Sequence, residues 1–227
     1  MTSLLNKTAI NKLITHYDGV GEWHNFNEKE NNIGYGLIHY SIVRNQKPKK
    51  VLSIGSKKGF IPACIALACR ENGVGKVDFV DAGFGEPNKQ SLWGGVGFWK
   101  NNDPKKHFST LNLSKHISFH LLTTEKFSDE FPKKRWDYIY VDGDHSYKGI
   151  KKDYKLFWPK LNTNGYMLFH DINPDKSHPD LEKETKRFWD ELSEKHNSIV
   201  FPGNWGLGLI QKTTKNTSWL GLLNPYS

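Results

Sequence analysis

The chain has 227 residues, 37% of them hydrophobic and 25% charged. That composition fits a water-soluble globular chain long enough to bury one large core, and the longest nearly apolar run, residues 60–69, is too short to span a bilayer. The formal net charge of +8 comes from lysines in short clusters at 47–50, 57–58, 104–107, 133–135 and 151–152; this pattern excludes a long basic tract and reads first as a solvated surface, second as a site for an anionic partner.

In chain order, residues 7–17 place Ile10, Leu13, Ile14 and Tyr17 at helical spacing, and residues 36–45 do the same with Leu37, Ile38, Ile42 and Val43. These two helices are expected to cover one side of a cleft. From residue 50 the pattern alternates. "KVLSIG" (50–55) is a strand ending in glycine, and 60–73 is a helix with Pro62 in its first turn and Gly73 as its stop. The only cysteines, Cys64 and Cys69, lie five apart on that helix and point apart. Free thiols follow, and with no signal-like apolar stretch at the start of the chain a cytoplasmic protein is expected.

"KVDFVD" (76–81) is the next strand. The glycine-rich aromatic segment 82–103 is too long for a simple connector and reads as a lid or substrate loop. In it, Trp93 and Trp99 either stack on a sugar face or pack the loop onto the body. Strands follow at 116–122, 136–142 and 165–171, with a helix carrying Ile150, Tyr154 and Phe157 between the last two. Residues 179–196 spell an amphipathic helix, with Pro179 near its start and Leu181, Thr185, Phe188, Trp189 and Leu192 inward. Residues 198–212 read as a hairpin turning at Pro202–Gly203–Asn204.

No repeat or linker interrupts this order, so residues 1–227 form one domain: a helical cover (1–47), a core (48–212) and a tail (213–227). The expected fold is α/β, Rossmann-like and doubly wound, with a mainly parallel seven-stranded sheet closed by a C-terminal antiparallel hairpin strand. In such sheets ligands bind at the carboxyl ends of the strands.

Two groups of residues meet that rim. Gly55 and Gly59 flank Ser56 between the first strand and its helix, and Asp81 ends the second strand about twenty residues later. Glycines for a tight turn, with an acid for the two ribose hydroxyls, suggest a nucleoside-bearing cofactor, without choosing between a nicotinamide dinucleotide and S-adenosylmethionine. Lys57 stands where a pyrophosphate-binding loop carries its middle glycine, and this favours S-adenosylmethionine.

The second group is "VDGDHSY" and "LFHDIN". Asp142 and Asp171 end neighbouring strands and can converge on one divalent cation, Mg²⁺ or Mn²⁺. A cation there would acidify a substrate hydroxyl, and His145 could take the proton. Strand alternation points His170 and Asp171 in different directions, so one of the two is expected to be structural. Asp144 reads as a cap or orienting residue.

The stretch "VDGDHSYKGIKKDYKLFWPKLNTNGYMLFHDIN" (141–173) resembles class I S-adenosylmethionine-dependent methyltransferases, and within them the macrocin- and mycinamicin-type sugar O-methyltransferases and the cephalosporin hydroxylase-like proteins. A looser resemblance covers about residues 48–212. It implies Gly55, Ser56 and Gly59 beside the methionine part of the cofactor, Asp81 on its ribose and Thr124 near its adenine. It also implies metal at Asp142 and Asp171, with His145 as base; His170 beside Asp171 is a further candidate ligand. Two positions depart from it: Ser53 stands where the first strand usually carries an acid, and Lys57 replaces a residue that is often small.

The expected activity is therefore S-adenosylmethionine-dependent, metal-assisted O-methylation of a small, sugar-like acceptor. Two alternatives stand beside it: a Rossmann-like binding protein without methyl transfer, motivated by Ser53 and Lys57, and a nucleic-acid methyltransferase, motivated by the net charge. A nucleic-acid partner is disfavoured because the lysine clusters are scattered. A membrane partner is not expected, and a homo-oligomer is compatible with the resemblance.

Overall fold

A computed structural model describes residues 5–17, 32–84, 97–173 and 182–214. Helices α1 (Lys7–Thr15) and α2 (Tyr35–Gln46) precede β1 (Lys50–Gly55), α3 (Phe60–Asn72) and β2 (Lys76–Asp81). Short helices α4 (Phe98–Asn101) and α5 (Pro104–His107) lead to β3 (Ile117–Leu121), followed by α6 (Thr124–Glu130), β4 (Trp136–Asp142), α7 (Tyr147–Phe157) and β5 (Leu161–His170). A π-helical turn (Glu182–Lys186) runs into α8 (Arg187–Ser193), and β6 (Ser198–Phe201) and β7 (Leu207–Gln211) close the sheet.

The seven strands lie in the order β3-β2-β1-β4-β5-β7-β6. Strands β1 to β5 pair in parallel, and β7 runs antiparallel to both β5 and β6. This is the doubly wound, hairpin-closed sheet expected. Alternation along each strand divides the core in two. Val51, Val77, Phe79, Tyr138, Tyr140 and Leu168 face α1, α2 and α3. Leu52, Ile54, Val80, Ile139, Val141 and Met167 face the side holding Phe127, Ile150, Phe157, Phe188 and Trp189.

One buried acid braces this second side. Asp78, in the middle of β2, accepts from Trp136 Nε1 (2.8 Å), Lys134 Nζ (2.8 Å) and His120 Nε2 (3.2 Å). Burial pushes its carboxyl up, but these donors outweigh burial and hold it below the usual range.

Local signals account for several helix ends. Ser146 caps α7 by accepting from the Gly149 N–H at 3.0 Å. Gly73 ends α3 in the left-handed conformation at φ +66°. The structure adds one element, changes one expectation and decides one alternative. Helix α6 was not foreseen, because its seven residues are too few to show a period. The helix expected over 179–196 begins, among the described residues, as the π turn, and its regular α portion is only Arg187–Ser193; Thr185, Phe188, Trp189 and Leu192 are buried as read, while Pro179 and Leu181 lie outside the described residues. Trp99 is not available to stack on a ligand: it is 4% exposed, with its ring centroid 4.8 Å from Phe119, 5.2 Å from Phe79 and 5.5 Å from Phe108. It packs its segment onto the body. Trp93 lies outside the described residues.

Candidate active site

The strand order makes a switch point between β1, which leads outward to β2 and β3, and β4, which leads to β5. Gly55, the last residue of β1, is the register partner of Asp142, the last of β4. A Cβ on Gly55, itself at φ +70°, would lie 2.0 Å from the Asp142 carbonyl oxygen, so only glycine fits. The next two residues also take positive φ, Ser56 at +130° and Lys57 at +42°. Successive residues at positive φ in a strand-to-helix turn hold backbone strain of the kind that clusters at functional sites. The Ser56 Oγ is buried and has no hydrogen-bond partner, leaving a polar atom for a bound group to satisfy.

Gly59, the N-cap of α3, packs against rings of the neighbouring segment. Its missing side chain makes room for the rings of Phe108 and Trp99, 2.8 and 3.3 Å from where a Cβ would sit. Asp81 ends β2 on the same rim, and its Oδ1 accepts from the Gly83 N–H at 2.7 Å. Burial, which outweighs that bond, raises its pKa to about 6, with the Asp142 charge adding to the rise. Thr124, the first residue of α6, is half-buried and bonds to the Asp153 carboxyl of α7.

Across the switch point four side chains converge. His145 Nδ1 lies 2.9 Å from Asp171 Oδ2, and its Nε2 lies 3.4 Å from Asp142 Oδ1. His170 Nδ1 lies 2.6 Å from Asp171 Oδ1 and 3.6 Å from Asp142 Oδ1. His170 and Asp171 were expected to diverge, and they do not. β5 ends at His170, and Asp171 turns into the left-handed region at φ +58°, which brings its carboxylate back beside the preceding imidazole.

Asp142, His170 and Asp171 each present a ligand atom within 4.8 Å of the other two. The spacing and donor set fit one divalent cation. The two carboxylates suit a hard cation such as Mg²⁺ or Mn²⁺, with an imidazole as the third donor.

The charges are tightly coupled. Burial pulls the His145 imidazole down, but Asp171 and Asp142 outweigh it and raise its pKa to about 10. His170 is raised for the same reason, against the same burial. Burial pushes the Asp171 carboxyl up, and the two imidazoles override it and hold the acid well below the usual carboxylate range. The carboxylates and imidazoles therefore stabilise each other as ions.

Sequence reasoning missed the groups behind this cluster. Tyr140 donates to Asp142 Oδ2 at 3.0 Å; burial and the nearby acids raise its pKa well above the ordinary value, so it remains a donor. His39 of α2 packs edge-on against Tyr140 and bonds through Nδ1 to the Tyr138 hydroxyl at 2.7 Å. Tyr35, also from α2, lies edge-on to the His170 ring. The helical cover thus reaches the site itself. In the sequence, Tyr138 and Tyr140 signal only one face of a strand. Asp144, by contrast, behaves as a turn residue, its Oδ1 accepting from the Ser146 N–H at 2.9 Å.

Known proteins share this fold. The chain resembles the O-methyltransferase TomG from Streptomyces achromogenes, involved in tomaymycin synthesis and solved with S-adenosylmethionine, at TM-score 0.61 and 13% identity over 92% of this chain and 91% of that one. It is similar to the Podospora anserina methyltransferase PaMTH1, solved with S-adenosylhomocysteine, at TM-score 0.63 and 14% identity over 94% and 88%. Likenesses at this identity establish the fold. In sequence it is 24% identical over 180 residues to the uncharacterized protein y4gI of Sinorhizobium fredii, a match covering 78% of this chain and 18% of that much longer relative. Residues 52–172, more than half of the chain and including the ends of β1, β2, β4 and β5, match the family described as a methyltransferase domain; the chain belongs to that methyltransferase family.

Proposed function

We propose that the chain is an S-adenosylmethionine-dependent O-methyltransferase that uses a divalent cation and acts on a small, sugar-like hydroxylated acceptor. The observation that carries this reading is the convergence of Asp142, His170 and Asp171 beside the β1–β4 switch point, with His145 between the two acids. The sugar acceptor and the macrocin-like subgroup rest on the likeness of residues 141–173 to that group's motif. Buried free thiols at Cys64 and Cys69 are in keeping with a cytoplasmic setting. Among the described residues no helix is long and apolar enough to cross a membrane.

S-adenosylmethionine supplies an electrophilic methyl group, and a cation at the acid cluster lowers the pKa of a hydroxyl it touches. The rest falls to this chain's residues. Gly55 keeps the floor of the cofactor site open, the Ser56 hydroxyl is placed to bond a bound group, and Asp81 accepts from the ribose hydroxyls. Asp142, His170 and Asp171 hold the cation. His145 takes the acceptor proton. Bare Asp142 and Asp171 keep a proton on His145; when their charge is neutralised, the ring returns to the range of a base.

The test is calorimetric titration of S-adenosylhomocysteine with Mn²⁺ present and with EDTA, at several pH values. Binding is expected in both, tighter with Mn²⁺. Asp81 accepts two hydrogen bonds only when ionised. Affinity should therefore be flat above about pH 7 and fall about tenfold per unit below about pH 6, the value to which its pKa is raised. Asp81→Ala should bind weakly at every pH. No binding under any condition would leave a non-transferring member of the fold, and a flat pH profile would remove Asp81 from the ribose.

A further inference from the structure

The strongest unassigned feature near the site is the π turn at Glu182–Lys186. π-helical irregularities are uncommon and frequently accompany functional sites. Here two consecutive residues of the turn reach Asp171, just after β5, and the start of α7, just after the loop that carries His145. Thr185 is 1% exposed, and its Oγ1 donates to the Asp171 backbone carbonyl at 2.6 Å. Glu184 Oε2 accepts from the Tyr147 N–H at 2.6 Å, at the start of α7 and two residues after His145. One short segment, remote in sequence from β4, therefore ties both acid-bearing loops.

The need for a tie is greatest at Asp171. A non-glycine residue at φ +58° persists only where its surroundings over-determine it, and this conformation is what aligns the Asp171 carboxylate with His170 and His145. On the far side the chain is held at Asn173, whose N–H donates to the Trp205 carbonyl at 2.7 Å. On the near side it is held by the β5–β7 pair His170↔Leu207. Asp171 lies between these anchors, and the Thr185 hydroxyl grips its peptide directly.

We propose that Thr185 is a positioning residue that holds Asp171 in the left-handed conformation its carboxylate requires, with Glu184 holding the His145 loop from the same turn. The proposal rests on the reading of Asp171 as a cation ligand, and it gives the hydroxyl of Thr185 a task that an apolar inner-face position of a helix does not have.

The experiment compares wild type, Thr185→Val, Thr185→Ala and Thr185→Ser. Mn²⁺ affinity is read by calorimetry, and hydrogen exchange of the amides over 170–173 is read without metal. Loss of an outer partner of a ligand typically costs 10–100-fold in affinity. Thr185→Val, which keeps the shape, is expected to weaken Mn²⁺ binding at least about tenfold and to speed exchange at Asp171 and Ile172. Thr185→Ser, which keeps the donor, should restore both. Should valine not fold, the alanine–serine pair makes the same comparison. If valine and alanine bind Mn²⁺ and exchange like wild type, or if serine fails as they do, the proposal is overturned. If wild type binds no Mn²⁺, the cation reading itself fails. The exchange comparison then decides alone: faster exchange in valine but not in serine upholds the positioning role, and equal exchange ends it.

Discussion

If Asp171 is the cation ligand proposed above, Asp171→Asn is expected to lower Mn²⁺ affinity at least about tenfold and cation-dependent methyl transfer at least about a hundredfold, because it would remove a buried anionic ligand rather than a partner of one. The same change has a consequence without any metal. Asp171 pairs with His145 at 2.9 Å and His170 at 2.6 Å, and all three side chains are buried. Removing one partner of a buried ion pair costs about 3–5 kcal/mol, since the remaining charge stays desolvated.

The sign of the pH dependence follows from His145. Its folded pKa is raised to about 10, above the ordinary 6.5. The stability gained from the pairing is fully present below about pH 6.5 and is lost as pH rises through about 10. Urea unfolding in EDTA should therefore show the variant well below wild type at pH 6, with the gap closing towards pH 10. A variant that binds Mn²⁺ as wild type does would remove Asp171 from the cation site. A gap that does not change with pH would mean that the imidazoles are not held as cations.

The second large effect is a gain. Asp153 of α7 is 2% exposed, and its Oδ1 has no hydrogen-bond partner. Burial, which outweighs the bond to Thr124 and the charge of Lys152, raises its pKa from 3.8 to about 7, and the charges of Glu125 and Asp144 add to the rise. The folded protein therefore holds a proton that the unfolded chain releases. Stability from this group is complete below about pH 4 and is lost as pH rises to about 7. Asp153→Asn keeps the shape and an acceptor for Thr124 without the charge. It should gain on wild type as pH rises above about 4 and level off above about 7 at about 4 kcal/mol, the free-energy equivalent of a shift of that size. Thermal or urea unfolding of both proteins from pH 4 to 8.5 checks this. A constant difference across that range would show that burial does not raise the pKa of the carboxyl. A variant less stable at pH 8 would show that the charge itself supports the junction of α6 and α7.

Much of the site was legible in the sequence because its signals are local. Asp81, Asp142 and the His170–Asp171 pair stand at the ends of apolar strand-forming runs, and parallel strands deliver their ends to one rim. Gly55 was legible because the turn out of β1 demands a residue without a side chain. Where reading was weaker, the missing information was a contact. Tyr140 and Tyr138 looked like one face of a strand until His39, about a hundred residues away, supplied the polar partner that makes that face a support for Asp142. Trp99 was ambiguous because an aromatic residue in a loop has no period, and only the rings of Phe79, Phe108 and Phe119 decide that it is core.

By itself, then, the sequence determined the succession along the chain of the seven strands and the longer helices, the two-sided core and the residues that arrive at the rim, all of which follow from alternation, helical spacing and turn chemistry within a few residues. Only the tertiary structure decided which rim residues meet. The pairing of Gly55 with Asp142 depends on strand order. The return of Asp171 towards His145 depends on one backbone angle that strand alternation does not encode. The grip of Thr185 on that turn depends on a π-helical segment whose irregularity no periodic pattern can announce.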